Sequence, residues 1–229
     1  MGCVNSTADT LIVIKAVDAG ALTVFADGKY VVPPGKSALI WTKAKFWSIS
    51  GDSFKIKDMS TGKDGNVLFE VAGKAYSFTN KRTLVDSKTQ EPVFVMTEAA
   101  MQFDDKQTVY SGDGKTELFK VASNFGNTKQ STNGLKNNQG KKITLEGKMN
   151  LLSKKGHVCL GDVNTGRPIG KVCSPVQIQN LIPDWSAGGS GWARHDYFIE
   201  IAPGVDMALI IAMVLAYEQM EQSYDDEMN

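Results

Sequence analysis

The sequence predicts a mainly β domain that ends in one buried α-helix. Short apolar runs separated by Gly, Pro, Asn and Asp recur at roughly 8–12 residue intervals, a spacing typical of sandwiches and barrels. Near the C-terminus this pattern gives way to an uncharged apolar run at residues 207–217. The chain has 229 residues, which is long for an average domain but ordinary for a single β-barrel. A chain of this length can bury a core without disulfides or metals.

The strand pattern is clearest at residues 54–58, where apolar and charged side chains alternate with period two. Residues 123–140 are rich in Asn, Gln, Ser, Thr and Gly, and we interpret them as a long loop inside one domain. The other candidate strands are residues 11–17, 21–25, 38–43, 45–50, 67–71, 75–79, 83–86, 93–97, 109–111, 117–122, 143–146, 157–161, 169–173 and 195–201.

Two cysteines lie in the predicted hairpin formed by residues 157–161 and 169–173. If Gly166 is near its centre, Cys159 and Cys173 lie opposite each other on one face, as a pair of buried thiols. A zinc site would need further Cys or His ligands at suitable spacing, and none is present. We therefore expect no metal and no other cofactor. Three cysteines in all, counting Cys3, are typical of a reducing compartment.

The C-terminal apolar run predicts a helix that is buried on all sides. Asp206 stands where an N-cap residue would accept hydrogen bonds from free helix N–H groups. Ala208, Ala212 and Ala216 recur every four residues and form one narrow face. A membrane span needs about 20 apolar residues, so a run that ends at Glu218 favours a core helix.

Charge is balanced overall but unevenly distributed. Between residues 120 and 180 the chain has nine lysines and one arginine against two acidic residues, whereas residues 218–229 hold five acidic residues and no basic ones. Such runs usually indicate a solvated face or tail. The alternative is a patch that binds anionic lipid headgroups, and its densest part is Lys141, Lys142, Lys148, Lys154 and Lys155.

The first seven residues match the N-myristoylation pattern, with Gly at position two and Ser at position six. The acyl chain would join the α-amine of Gly2 after removal of Met1. A single myristoyl chain binds membranes only marginally, and a second chain on the adjacent Cys3 would make attachment stable. We therefore expect lipidation of Gly2 and Cys3, and a location at the cytoplasmic face of a membrane, most simply the plasma membrane.

Several stretches resemble the LURP-one-related family, within the tubby C-terminal-like superfamily. They are Ile49-Ser50-Gly51, Phe54-Lys55-Ile56-Lys57-Asp58, Phe69-Glu70-Val71-Ala72-Gly73-Lys74, Lys81-Arg82-Thr83-Leu84-Val85-Asp86, Asp196-Tyr197 and Pro203-Gly204-Val205-Asp206-Met207-Ala208-Leu209-Ile210. The resemblance runs from about residue 45 to 221, and residues 1–44 have no obvious match. It implies a closed antiparallel barrel around the central hydrophobic helix. We divide the chain into a lipidated N-terminus (1–10), this barrel domain (11–221) and an acidic tail (222–229).

The resemblance implies little chemistry. The superfamily includes tubby proteins, which bind phosphoinositide headgroups, and phospholipid scramblases, but neither a tubby headgroup motif nor acidic residues at calcium-binding spacing is found here. His157 and His195 lie in no nucleophile motif, and Trp192 breaks the G-x-S-x-G pattern. We expect a non-enzymatic, membrane-associated binding or scaffold protein whose partners are membrane lipids. The alternative is a scramblase-like lipid-translocating protein. No nucleic-acid partner is expected from a net charge of zero.

Overall fold

The structure of the protein is a computed structural model. It describes residues 12–18, 20–43, 53–60, 65–73, 81–98, 106–123, 129–150, 155–178 and 196–227. Gly2, Cys3, Lys154 and His195 lie outside these ranges, as do the predicted strands at 45–50 and 75–79.

Over the described residues, the fold consists of twelve antiparallel strands and one long helix. The strands are β1 (Ala38–Lys43), β2 (Phe54–Asp58), β3 (Asn66–Gly73), β4 (Arg82–Asp86), β5 (Pro92–Glu98), β6 (Lys106–Ser111), β7 (Glu117–Ser123), β8 (Lys129–Asn133), β9 (Leu145–Asn150), β10 (Lys155–Leu160), β11 (Arg167–Cys173) and β12 (Asp196–Ile201). Helix α1 is a short turn (Pro175–Ile178), and α2 spans Met207–Glu227. Neighbours in sequence pair in order, and β1 pairs with both β2 and β12, which closes the barrel.

The predicted fold class is confirmed. Strand residues alternate between the inside and outside of the barrel, as the period-two pattern requires. In β9, Leu145, Gly147 and Met149 are buried, whereas Lys148 and Asn150 are exposed. The inward side chains and the helix together form one large hydrophobic core.

Helix α2 lies within this core, which explains why it is apolar on all sides. Ala208, Ala212 and Ala216 are fully buried. Larger helix side chains project over glycines of the wall: a Cβ added to Gly170 would lie 3.1 Å from Ile210 Cγ2. None of the helices in the described ranges is both long and apolar enough to cross a membrane.

Asp206 caps α2 as predicted and also binds a second segment of the chain. Its Oδ1 accepts from the N–H of Ala208 (3.0 Å), and its Oδ2 accepts from the N–H groups of Val24 (3.1 Å) and Phe25 (2.8 Å). Burial raises the pKa of Asp206 to about 6, although these donors act in the opposite direction. One carboxylate therefore connects the start of α2 to the described residues before β1 (12–18 and 20–37), which we call the N-terminal segment.

The N-terminal segment covers the barrel end at which α2 begins. Tyr30 donates its hydroxyl to Asp86 Oδ2 (2.9 Å), and Lys29 Nζ lies 2.9 Å from the same oxygen. Burial would raise the pKa of Asp86, but bonds from Lys29, the Thr89 N–H, Tyr30 and the Lys88 N–H outweigh it and hold the pKa well below its usual range. This end is thus closed by satisfied polar contacts.

Four secondary-structure predictions are wrong. Residues 12–17 and 21–25 form no strand, because they make only single bonds, such as Lys15 N–H to Pro168 of β11 and Phe25 N–H to Asp206, and no continuous ladder with a neighbouring strand. Residues 123–140 are not one loop, since they contain β8. Helix α2 extends to Glu227, past the predicted end at Tyr217.

The predicted cysteine pairing is also wrong. Cys159 lies opposite Pro168, whereas Cys173 lies opposite Phe198 of β12. The hairpin is centred near Asn164 and not Gly166, because Gly156 pairs with Val172 and Leu160 with Arg167, so the two cysteines lie at different levels of the ladder. Both are free and buried, and burial raises both pKa values, that of Cys173 to about 11.

Candidate functional site: exposed lysines of strands β8 to β10

The four described lysines of the predicted headgroup-binding set are exposed but do not form one patch. Lys141 and Lys142 precede β9, Lys148 lies near its far end, and Lys155 begins β10. Six residues separate Lys142 from Lys148, an extended reach of roughly 20 Å. That distance exceeds the Debye length of about 8 Å at physiological salt. The described lysines therefore form two groups towards opposite ends of the barrel.

Lys148, in the group farther from the start of α2, belongs to a row of side chains on the outer wall of the barrel. Lys129, Lys148, His157 and Lys171 are direct partners across β8, β9, β10 and β11. The next partner in the row, on β12, is Glu200. The sequence had indicated the charge of this region but not the alignment of these residues.

Acidic neighbours offset part of this row. Lys129 Nζ lies 2.8 Å from Glu146 and 3.6 Å from Asp162, and the hydrogen bond to Glu146 is the main cause of its raised pKa. Lys171 stands beside Glu200 in the ladder. The wall thus carries mixed charge, and Lys148 lies between Lys129 and His157.

The other group, which contains Lys141 and Lys142, lies in the connection between β8 and β9. Residues 135–143 fold back on themselves, and we call them the lysine hairpin. Leu135 pairs with Ile143 through a 3.0 Å backbone bond, and Asn137 pairs with Lys141 in the same way at 3.0 Å. Lys136 and Lys142 are opposite each other in an antiparallel bridge. Gly140 supplies the positive φ of the turn.

Asn137 fixes the shape and position of the lysine hairpin. It is only 4% exposed, and its Oδ1 accepts from the N–H groups of Gln139 (3.1 Å) and Lys141 (2.9 Å). Its Nδ2 donates to the carbonyl of Ala21 (3.3 Å), and the N–H of Asn138 donates to the Thr23 carbonyl. The turn is therefore held rigidly against the N-terminal segment.

Three lysines project from this support. Lys136, Lys141 and Lys142 are exposed, and the sequence from Asn133 to Leu145 contains no acidic residue. Like charges directly opposite each other in a β pair are destabilising. Lys136 was not among the predicted site residues, because only the fold places it opposite Lys142.

Of the two histidines considered as catalytic candidates, the structure describes His157, which makes a structural contact; His195, like Gly2, Cys3 and Lys154, lies outside the described residues. His157 Nε2 lies 3.2 Å from the Val163 carbonyl. Within the described ranges, no group of three or more His, Cys, Asp or Glu side chains could hold a metal ion.

Comparison with known proteins decides the family. A profile of LURP-one-related proteins matches residues 39–218, which include all twelve strands except the first residue of β1, and much of α2. The chain belongs to the LURP-one-related family. The predicted resemblance is therefore confirmed.

A solved structure extends this LURP-one-related match. An X-ray structure of a protein from Arabidopsis thaliana is similar to the chain with a TM-score of 0.57 and 20% sequence identity. The similarity covers 88% of this chain and 99% of the other, and at this identity it shows the shared fold alone. A search of curated proteins gives no significant match.

Proposed function

We propose that this LURP-one-related protein is a non-enzymatic binding or scaffold module held on the cytoplasmic face of a membrane. Acyl chains on Gly2 and Cys3 provide the attachment, and exposed lysines add electrostatic binding to anionic headgroups. The N-terminal Met-Gly-Cys-Val-Asn-Ser sequence supports the anchor. The plasma membrane is the favoured location, because its cytoplasmic leaflet is rich in anionic lipid.

One observation carries the electrostatic part of the proposal. All four described lysines of the predicted set, namely Lys141, Lys142, Lys148 and Lys155, are exposed. Each basic side chain near an anionic leaflet contributes about 1 kcal/mol. Two or three such contacts would usefully supplement one acyl chain, which alone binds only marginally.

The anchor also has enough chain to reach the membrane. Ten residues separate Gly2 from Ile12, the first described residue, an extended span of up to roughly 35 Å. Lys15 N–H then donates to the carbonyl of Pro168 at the start of β11 (2.8 Å). The anchored chain therefore joins the barrel at the end where α2 begins.

Cell fractionation tests the anchor. Wild-type protein should sediment with membranes, Gly2→Ala should move to the soluble fraction, and Cys3→Ser should show a partial shift, since it would retain one acyl chain. Asn5→Ala, which leaves Gly2, Cys3 and Ser6 in place, serves as the control. Unchanged membrane association of Gly2→Ala would refute the anchor.

A second measurement separates this proposal from the scramblase-like alternative. Purified protein is added to vesicles that carry a fluorescent phospholipid in one leaflet. A binding or scaffold module should leave the label where it is. Transfer of label between leaflets without any protein partner would overturn the proposal and support lipid translocation.

A further inference from the structure

We propose that the lysine hairpin is the surface that contacts the anionic bilayer, so that the barrel end where α2 begins faces the membrane. This inference rests on the proposed function and narrows it to three residues, Lys136, Lys141 and Lys142. It also assigns an orientation to the barrel, with the outer-wall lysines Lys148 and Lys155 displaced towards the opposite end.

Comparison of the turns at this end distinguishes the lysine hairpin. The β4–β5 turn has Lys88 between Asp86 and Glu91, and the β6–β7 turn has Lys115 between Asp113 and Glu117. In the β10–β11 turn, Arg167 follows Asp162. The β8–β9 connection has three lysines and no acidic residue between Asn133 and Leu145. Its positive charge is therefore not offset within the turn.

The bridge between Lys136 and Lys142 adds a second argument. Two like charges held opposite each other in a β pair repel, and this repulsion destabilises the hairpin. An anionic surface laid across both removes that repulsion. The buried Asn137 fixes the turn beforehand, so binding requires little ordering of backbone, which favours affinity.

Position relative to the anchor supplies the third argument. The lysine hairpin contacts the N-terminal segment directly, through Asn137 to Ala21 and Asn138 to Thr23. The same segment leads back to the predicted acyl site at Gly2. An anchored barrel therefore presents the hairpin and the lipidated chain at one end, where both can meet the same bilayer.

The outer-wall row is less suited to this role. Lys129 is paired with Glu146 and Asp162, and Lys171 is next to Glu200. These carboxylates would approach the lipid phosphates together with the lysines and repel them. The observations thus favour the hairpin over the wall.

The test uses full-length Gly2→Ala protein, which cannot be myristoylated, and sedimentation with phosphatidylcholine vesicles that contain or lack phosphatidylserine. The hairpin variant is Lys136→Gln, Lys141→Gln and Lys142→Gln together. We expect it to lose roughly a hundredfold in affinity for phosphatidylserine vesicles. The matching triple change to Arg should retain affinity, and added salt should weaken binding of the parent protein.

Two controls make the result specific. The variant Lys55→Gln, Lys148→Gln and Lys155→Gln removes the same charge from exposed positions towards the opposite end of the barrel, and it should lose at most a few fold. The variant Lys148→Gln and Lys155→Gln tests the outer wall and should also bind nearly as well as the parent. Circular dichroism confirms that each variant is folded.

The outcomes separate the hairpin from the broader proposal. If the parent protein binds phosphatidylserine vesicles and the outer-wall variant loses that binding, electrostatic attachment stands and the hairpin assignment is wrong. Equal losses in the hairpin variant and the charge-matched control would also overturn the assignment. If the parent protein does not prefer phosphatidylserine vesicles at all, both the assignment and the electrostatic part of the proposed function fail.

Discussion

The two ends of the barrel solve the problem of buried polar groups differently. At the end where α2 begins, Asp206, Asn137 and Asp86 are almost fully buried. In each side chain one polar atom bonds within its own turn or helix, and the other bonds to the N-terminal segment. These bonds join the helix, the N-terminal segment and two turns. Short polar side chains serve here as connectors between segments that the strand ladder does not join.

Nearer the other end, buried polar side chains face the interior of the barrel. Gln130 of β8 is 1% exposed, and neither its Oε1 nor its Nε2 has a hydrogen-bond partner among the described residues. Gln107 of β6 has one such oxygen. Arg82 and Glu218, in contrast, form an ion pair with a separation of 3.3 Å. Buried polar side chains therefore stabilise this fold mainly at the end where α2 begins, because there they have hydrogen-bond partners.

The largest expected loss of stability comes from removing the Asp206 carboxylate, which joins the start of α2 to the N-terminal segment. Asp206→Ala removes the acceptor of the buried N–H groups of Phe25 and Ala208 and of the half-buried N–H of Val24, at about 1–3 kcal/mol for each buried group. We expect the free energy of unfolding in urea to fall by about 4 kcal/mol or more. Exposed Asp18→Ala is the control and should change it by less than about 0.5 kcal/mol. A loss below about 1 kcal/mol for Asp206→Ala would contradict the comparison.

A smaller effect is expected where the N-terminal segment crosses the barrel rim. Gly204 has φ +81°, and an added Cβ would collide with the Val17 carbonyl oxygen. Gly140 has nearly the same φ, +77°, but an added Cβ meets no atom within 4 Å. Gly204→Ala should therefore lower the free energy of unfolding by about 3 kcal/mol and Gly140→Ala by about 1 kcal/mol. Thermal and urea unfolding measure both losses. If the two variants lose the same free energy of unfolding, the segment around Val17 moves aside to accommodate the added methyl group, and the prediction is wrong.

The smallest effect, of opposite sign, is expected at Gln130. Because its amide has no described partner, Gln130→Met should leave the free energy of unfolding unchanged or raise it by about 1 kcal/mol. Thr132 on the same strand accepts from the Leu145 N–H (2.9 Å), so Thr132→Val should lower it by about 1–2 kcal/mol. If Gln130→Met instead destabilises the protein more than Thr132→Val does, Gln130 has a partner and the two ends are alike.

Most of the fold can be predicted from the pattern of apolar residues. The exceptions arise where that pattern and the backbone pairing do not coincide. Eleven of the twelve described strands and α2 correspond to apolar or alternating runs, and Asp206 marks the helix start. Strand β8 was missed because its inward residues, Gln130 and Thr132, are polar, so Lys129–Asn133 shows no hydrophobic alternation. The sequence predicts strands in the N-terminal segment because its apolar residues come in short runs. Leu22 and Phe25 are indeed buried, but the backbone of the segment forms no strand ladder.

The candidate site was only partly readable. Exposure of Lys141 and Lys142 follows from a polar context, but Lys136 gains its importance from a bridge partner six residues away. That pairing depends on the side chain of Asn137, which looks in the sequence like any residue of a polar loop. The alignment of Lys129, Lys148, His157 and Lys171 likewise depends on strand register, which single-residue patterns do not encode.

Closure of the barrel also limits how this protein can recognise other molecules. Each of the twelve strands has a neighbour on both sides, because β1 joins β2 and β12. Among the described strands a partner peptide therefore finds no open edge on which to extend the sheet, the mode that many adaptor domains use. Recognition must instead come from outward side chains and from the turns. These positions can change without disturbing the backbone ladder, so relatives with the same barrel are free to differ in what they bind.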